Sequence, residues 1–276
     1  MRNRIFLQPR WPGVLVVALM LAAGTAQAVD VRFQRVAEGV YAHVGDTGPR
    51  TAANEGLNAT IGLVVTPAGA VLIDSGATFQ SARQIHEAVK AVTAQPVKWI
   101  FNTGGQDHRW LGNGYFASQG AEVMAHAAGQ ADMLNRGNDH LQGLKATLGA
   151  MAEGTVPTLP TRWLTGGDAR LDLGGVAFEF KHRGGAHTPG DTMVWLPQKS
   201  VLFTGDVVYV ERMLGVLPVS NTKSWLDTLS VIEPLNPQVL VPGHGSVTNV
   251  ATAKADSQAY LQALRAHMKK AVDDGT

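Results

Sequence analysis

The chain of 276 residues contains no cysteine. Disulfides, thiolate metal ligands and thiol nucleophiles are excluded, so any metal must be held by His, Asp or Glu. An excess of either charge is also missing, since 23 Lys and Arg against 22 Asp and Glu leave a formal charge of +1. That balance favours neither nucleic acid nor an anionic membrane as a partner. A membrane anchor would need about twenty consecutive apolar residues, and the run from Val14 to Ala23 is too short.

The flanks of that run are informative. Arg2, Arg4 and Arg10 precede it and Ala26-Gln27-Ala28 follows it, which is the order of a basic segment, an apolar segment and a cleavage site in an export signal. The sequence therefore predicts cleavage after Ala28, with no membrane attachment afterwards. Residues 29–276 number 248 and carry a formal charge of −2 once those three arginines are gone. That length suffices for a single domain with a full core.

Strand patterns are expected over 31–36, 40–44, 59–65 and 70–73, arranged as antiparallel hairpins, the last two joined by Thr66-Pro67-Ala68-Gly69. Residues 78–92 have helical spacing, with Ile85, Val89 and Val92 on one face, and lead into a strand at 97–101. A strand at 122–125 precedes a long polar and apolar segment ending near Gly154, and 154–160 has the composition of a connecting loop. The second half predicts strands near 169–173, 176–181, 192–196, 201–203 and 239–241, and helices over 223–232 and 252–270. TIGLVVTPAGAVLIDSG (60–76) and TMVWLPQKSVLFTGD (192–206) are both apolar hairpins ending on an acid beside a glycine. Such a weak internal repeat is expected of two packed half-domains, each supplying a sheet and helices.

Three glycine-bounded loops in the second half each offer one potential ligand: His187 in GGAHTPGD, Asp206 in FTGD and His244 in VPGHG. Two imidazoles and a carboxylate converging on one sheet edge can hold zinc or a similar ion. Singly, each is more commonly a hydrogen-bonding loop residue. His43, His86, His126, His140, His182 and His267 have no convergent partners visible in the sequence. The most concentrated chemistry is the stretch NTGGQDHRWLGN (102–113), directly after the strand expected at 97–101.

Together, VLIDSG, the NT…GN frame of that stretch, GGAHTPGD, LFTGD and VPGHG occur in the order found in the metallo-β-lactamase superfamily. The chain resembles that family over most of its length. The resemblance implies an α/β (α+β) fold, a four-layer αββα sandwich, with a metal site at one edge where water is activated for hydrolysis. It implies that His187, Asp206 and His244 are metal ligands, with Asp206 typically bridging two ions, and that Asp74 supports the site from behind.

The opening stretch departs from the family's N-T-H-x-H-x-D-H-x-x-G-N. Laid without gaps, Gly104 and Gln106 stand where the first two histidines belong, His108 takes the place of the aspartate and Arg109 that of the last histidine. A shift by one would pair Asp107-His108 with the family's D-H, but it needs an extra residue before Gly112-Asn113. The ungapped frame is preferred because Asn102, Thr103, Gly112 and Asn113 match only in it.

The expected site therefore holds one zinc ion rather than two, on His108, Asp206 and His244, with His187 or a water completing it. Asp107 would orient that water or act as general base, and Asp74, Gln106 and Arg109 would support the site or bind substrate. Against this stands Arg109, whose guanidinium can pair with Asp206, repel zinc and leave a metal-free pocket. The loop 45–58 is expected to overhang the site as a substrate loop or to be a mobile connection. Met213, Leu214, Val216 and Leu217 in the apolar segment 210–225 would line a substrate pocket or an interface.

The degenerate stretch, the export signal and ERMLGVLPVSNTKSW (211–225) also resemble one branch of the superfamily, the exported quinoprotein relay system zinc metallohydrolases. That branch implies a periplasmic hydrolase of a small molecule, an ester, amide or lactone, serving quinoprotein components. The competing expectation is a catalytically silent accessory protein of such a system.

Overall fold

The computed structural model describes residues 29–275, so the expected export signal lies outside the described residues. The first half contributes β1 (Gln34–Ala37), β2 (Val40–His43), β3 (Ile61–Thr66), β4 (Gly69–Ile73), helix α1 (Phe79–Val92), β5 (Val97–Asn102), short helices α2 (Asp107–Trp110) and α3 (Asn113–Ser118), β6 (Glu122–His126), helix α4 (Gln130–Leu148) and β7 (Arg162–Leu164). These strands form one sheet in the order β1 to β7, antiparallel as far as β4 and parallel beyond it. The second half contributes β8 (Asp168–Leu173), β9 (Val176–Lys181), β10 (Met193–Leu196), β11 (Val201–Tyr209), helices α5 (Thr222–Leu229) and α6 (Ile232–Leu235), β12 (Val239–His244), α7 (Val250–Ala253) and α8 (Ala259–Asp273). Its sheet runs β12-β11-β10-β9-β8, with only the β11–β12 pair parallel.

Alternation within the strands sends one set of side chains to a central seam and the other outward. Val64, Val71, Ile73 and Phe101 from the first sheet meet Phe178, Phe180, Val194 and Phe203 from the second, all buried. On the outer face of the first sheet, Ile61, Leu72 and Ile100 pack against Ile85 and Val89 of α1 and Phe116 of α3. On the outer face of the second, Trp195, Leu202 and Leu240 pack against Trp225 and Leu229 of α5 and Leu261 of α8. The result is the expected αββα sandwich. The two repeated hairpins are β3–β4 in one sheet and β10–β11 in the other.

Helix α1 starts where Thr78 and Ser81 exchange reciprocal capping bonds, which satisfy donors that the first turn leaves open. The segment after β6, which the sequence left unassigned, is a helix of 19 residues whose glycines, Gly137 and Gly143, hide its periodicity. The expected loop at 154–160 is present and leads into a three-residue strand, β7, that the sequence did not suggest. One expectation needs correction: the last helix is not continuous, because a π-helical turn at Lys254–Gln258 divides α7 from α8. No described helix is long and apolar enough to cross a membrane.

Candidate metal centre

Every motif loop emerges at one edge of the sandwich. Asp74 follows β4, the stretch 102–113 follows β5, His187 lies between β9 and β10, Asp206 is in β11 and His244 ends β12. Cross-sheet hydrogen bonds fix that edge: Thr192 N donates to Thr103 O at 2.8 Å and Thr60 N donates to Gly243 O at 2.9 Å. The NT…GN frame is a buried polar lattice. Asn102 and Asn113 exchange side-chain bonds of 3.1 and 2.8 Å, and Ser75 Oγ donates to Asn113 Oδ1 at 2.8 Å.

At the centre, His108, Asp206 and His244 each bring one ligand atom, all within 4.8 Å of one another. His108 Nε2 lies 3.1 Å from Asp206 Oδ2, and His244 Nε2 lies 3.2 Å from Asp206 Oδ1. Donors on zinc at 2.0–2.1 Å in a tetrahedron are about 3.3 Å apart, so these spacings suit a shared ion. His187 Nε2 stands farther off, 4.0 Å from Asp206 Oδ2.

The tautomers agree. His244 Nδ1 is 2.6 Å from Asn58 O and His187 Nδ1 is 2.7 Å from Gly215 O. A carbonyl only accepts, so Nδ1 carries the proton in both rings, in His244 because Asn58 O is closer than the Arg212 Nη1 donor at 3.3 Å, and the Nε2 lone pairs face Asp206. Burial pushes both imidazoles below their ordinary pKa, His244 to about 3, so both are neutral at neutral pH. Burial alone would raise the Asp206 carboxyl, yet Arg109 and His108 hold it well below the usual carboxylate range. Neutral imidazoles beside an ionised carboxylate form the donor set a divalent cation takes.

Arg109 sits beneath this group and is fully buried. Its guanidinium donates to Asp206 Oδ1 at 2.5 Å, Asp74 Oδ2 at 3.0 Å, Gly243 O at 2.8 Å and Thr60 O at 3.1 Å. The expected pairing with Asp206 is present, but it engages Oδ1 and leaves Oδ2 to His108. Gly243 makes room for it, since a Cβ there would come within 2.6 Å of the guanidinium. Asp74, in the left-handed region at φ 70°, also accepts Thr103 N at 2.7 Å and does not reach the cleft.

The two missing histidines have different physical accounts. A Cβ on Gly104 would meet Asp191 Oδ1 at 2.3 Å, so buried Asp191 fills the space a side chain would use. Gln106 lines the cleft and its Nε2 donates weakly to Asp107 Oδ1 at 3.3 Å. Asp107 stands behind His108, whose backbone N donates to Oδ1 at 2.8 Å and whose Nδ1 lies 3.3 Å from the same oxygen. The other oxygen is ion-paired with Arg50.

The cleft over the centre measures about 250 Å³ and is lined by His108, His187 and His244 with Tyr209, Arg50 and Arg212. The last three escaped the sequence reading because nothing local marks them. The length of loop 45–58 and the apolar character of 210–225 hinted at Arg50 and Arg212, and nothing in the sequence hinted at Tyr209, the last residue of β11. In the latter segment Met213 and Leu217 do line the cleft, while Leu214 turns into the core against the second sheet. The Tyr209 ring lies 4.4 Å from that of His244, and no described residue accepts a hydrogen bond from its hydroxyl.

Asp191 has a consequence for stability. Burial and the nearby Asp206 charge push its carboxyl up to about 8. A carboxyl raised in the folded state stabilises the fold below its unfolded value of about 3.9 and loses that contribution as pH rises towards 8. Asp191→Asn should therefore remove a slope of about 1.4 kcal/mol per pH unit across that window. Urea unfolding of the metal-free protein at pH 5 and pH 8 checks this, and equal pH sensitivity in both proteins would refute it.

Similarity to known proteins agrees with this architecture. Residues 54–244 match the family model of the metallo-beta-lactamase superfamily. The alpha subunit of a 2,4-dinitroanisole O-demethylase from Nocardioides sp. is 25% identical over 178 residues, 64% of this chain and 49% of that protein. Hydroxyacylglutathione hydrolase GloC of Haemophilus influenzae is 32% identical over 99 residues, 35% of this chain and 46% of that protein. The chain thus spans about half the length of the curated relatives it matches. The solved structure of a metallo-beta-lactamase from Pontibacter korlensis superposes with a TM-score of 0.66 at 23% identity, covering 84% of this chain and 99% of that one. With the family model matched over more than half its length and the motif loops gathered at one edge of an αββα sandwich, the chain belongs to the metallo-β-lactamase superfamily.

Proposed function

We propose that this protein is a metal-dependent hydrolase with one zinc ion, held by His108, Asp206 and His244 and approached by His187. The observation that carries the reading is the convergence of those three donors in a buried group, with the Nε2 lone pairs of His244 and of the neighbouring His187 turned inward. An ion bound there supplies a Lewis acid and a water of lowered pKa. Asp107, ion-paired with Arg50 and held well below the ordinary carboxylate range by His108 and Arg50 against the cost of burial, orients His108 in preference to accepting a proton.

Tyr209 keeps its proton, because burial and the Asp206 charge raise its pKa well above the usual value. It serves as a donor to the oxygen that gains negative charge when an acyl bond is attacked. The substrate is a small ester, amide or lactone with an apolar part against Met213 and Leu217 and an anionic group at Arg212, which makes no ion pair among the described residues. The names of the relatives, a hydrolase and an O-demethylase, are in keeping with bond cleavage at such a centre. We further propose export to the periplasm and service to a quinoprotein system, on the strength of residues 1–28 and the stretch 211–225.

Elemental analysis of protein lacking residues 1–28, with turnover of aryl esters, tests the core of this reading. About one zinc per chain with zinc-dependent turnover supports it. Absence of metal after zinc incubation would leave a non-catalytic binding protein. Tyr209→Phe should lower kcat by 10- to 1000-fold with little change in KM, the signature of a donor used in the transition state. An unchanged kcat would remove Tyr209 from the mechanism.

A further inference from the structure

The loop 45–58 contacts His244 directly and reaches His108 through Asp107. Its Asn58 carbonyl accepts from His244 Nδ1 at 2.6 Å, and its Arg50 guanidinium pairs with Asp107, which in turn faces His108 Nδ1 at 3.3 Å. The loop is also knitted to itself. Asn54 Nδ2 donates to Pro49 O at 2.9 Å and to Asp46 Oδ2 at 3.1 Å, and Asn58 Nδ2 donates to Gly48 O at 3.2 Å. A single segment thus reaches, directly or through Asp107, two side chains that lie 136 positions apart in the chain.

We propose that Arg50 and Asp107 are positioning residues that tie the loop 45–58 to the metal centre, so that metal loading and ordering of this loop are one event. The proposal rests on the single-metal reading above. His108 Nδ1 is buried and makes no hydrogen bond among the described residues, and the Asp107 carboxylate 3.3 Å away is the acceptor in reach of it; outer partners of this type govern both ring orientation and metal affinity. Asp107 can fill that role only while its carboxylate is fixed in place, and Arg50 is the cation that holds it. The Arg50 side chain is 28% exposed and the Asp107 side chain 6%, so the pair is anchored on the buried side and released from the loop side. Coupling is reciprocal: if a tethered loop raises zinc affinity by some factor, zinc raises the population of the tethered loop by the same factor.

The test uses the full mature chain, with zinc competed against a chromophoric chelator and hydrogen exchange followed over residues 46–58 with and without zinc. In the parent protein zinc should slow exchange in the loop. Arg50→Ala and Asp107→Asn should each bind zinc 10- to 100-fold more weakly. In both, the effect of zinc on loop exchange should vanish while α1 and the sheets exchange as before. Arg50→Lys keeps a cation and should recover most of the affinity, which separates tethering from a folding defect. The double variant should be no weaker than Asp107→Asn alone, because the two act in series. Parent-like affinity and loop protection in Arg50→Ala would overturn the tether and leave the single-metal reading intact. A parent protein that takes up no zinc would overturn both.

Discussion

Arg109→Met is expected to destabilise the metal-free fold by about 3–5 kcal/mol, the cost of stranding buried charges whose partner has been removed. Asp74 and Asp206 are 1% and 2% exposed, and the Arg109 guanidinium bonds directly to both. Methionine fills similar volume but supplies neither charge nor donors, and it also leaves the carbonyls of Thr60 and Gly243 without their bonds. For a domain of this size the loss corresponds to roughly 6–20 °C in Tm.

The pH dependence of that loss is diagnostic. In the parent, Asp206 is held below its unfolded pKa, so its contribution is present above about pH 4 and lost as pH falls through the folded value. Without Arg109 the Asp206 carboxyl would be raised above its unfolded pKa, as burial already raises that of Asp74 in the parent, and its contribution would be lost as pH rises. The penalty should thus be largest near pH 8 and shrink towards pH 4.5. Denaturant unfolding of both proteins at those two values checks it. A penalty under about 1 kcal/mol, or one that does not vary with pH, would show that Arg109 does not neutralise this site.

Arg109 also shows how far the sequence can be read. Its pairing with Asp206 was legible from residue type and the NT…GN frame. Its location was not, because which side of a carboxylate a guanidinium approaches depends on the close passage of β11 and β12 at Gly205 and Gly243. The strands follow from alternating apolar residues, and the candidate ligand histidines and the αββα layering from the ordered motifs of the resemblance, all of them local signals. Asp191, Tyr209 and Arg50 were invisible for the opposite reason. Asp191 matters because it fills the space above Gly104, 87 positions away, and Arg50 because the loop 45–58 lies across α2. Helix α4 was obscured since glycine at 137 is demanded by the Trp110 ring, 2.9 Å from where its Cβ would be, a packing requirement that overrides propensity.

The second large effect concerns the ligands themselves, and the geometry ranks them. His108→Ala and His244→Ala should each weaken zinc binding by about 10²- to 10³-fold, because a binding free energy of about 10–16 kcal/mol shared among four ligands puts about 2.5–4 kcal/mol on each. His187→Ala should cost less. Its Nε2 stands 4.0 Å from Asp206 Oδ2, against 3.1 and 3.2 Å for the other two histidines, so it must move to close the shell. Chelator competition on the three variants gives the order directly. A loss in His187→Ala equal to or larger than the other two would shift the centre towards the β9–β10 loop and away from His244. The neutral state of the His187 and His244 rings adds a control. Burial has already removed the competing proton from His187 and His244, so zinc binding at pH 6 should resist acid better than it would on exposed histidines, whose protons compete below about pH 6.5.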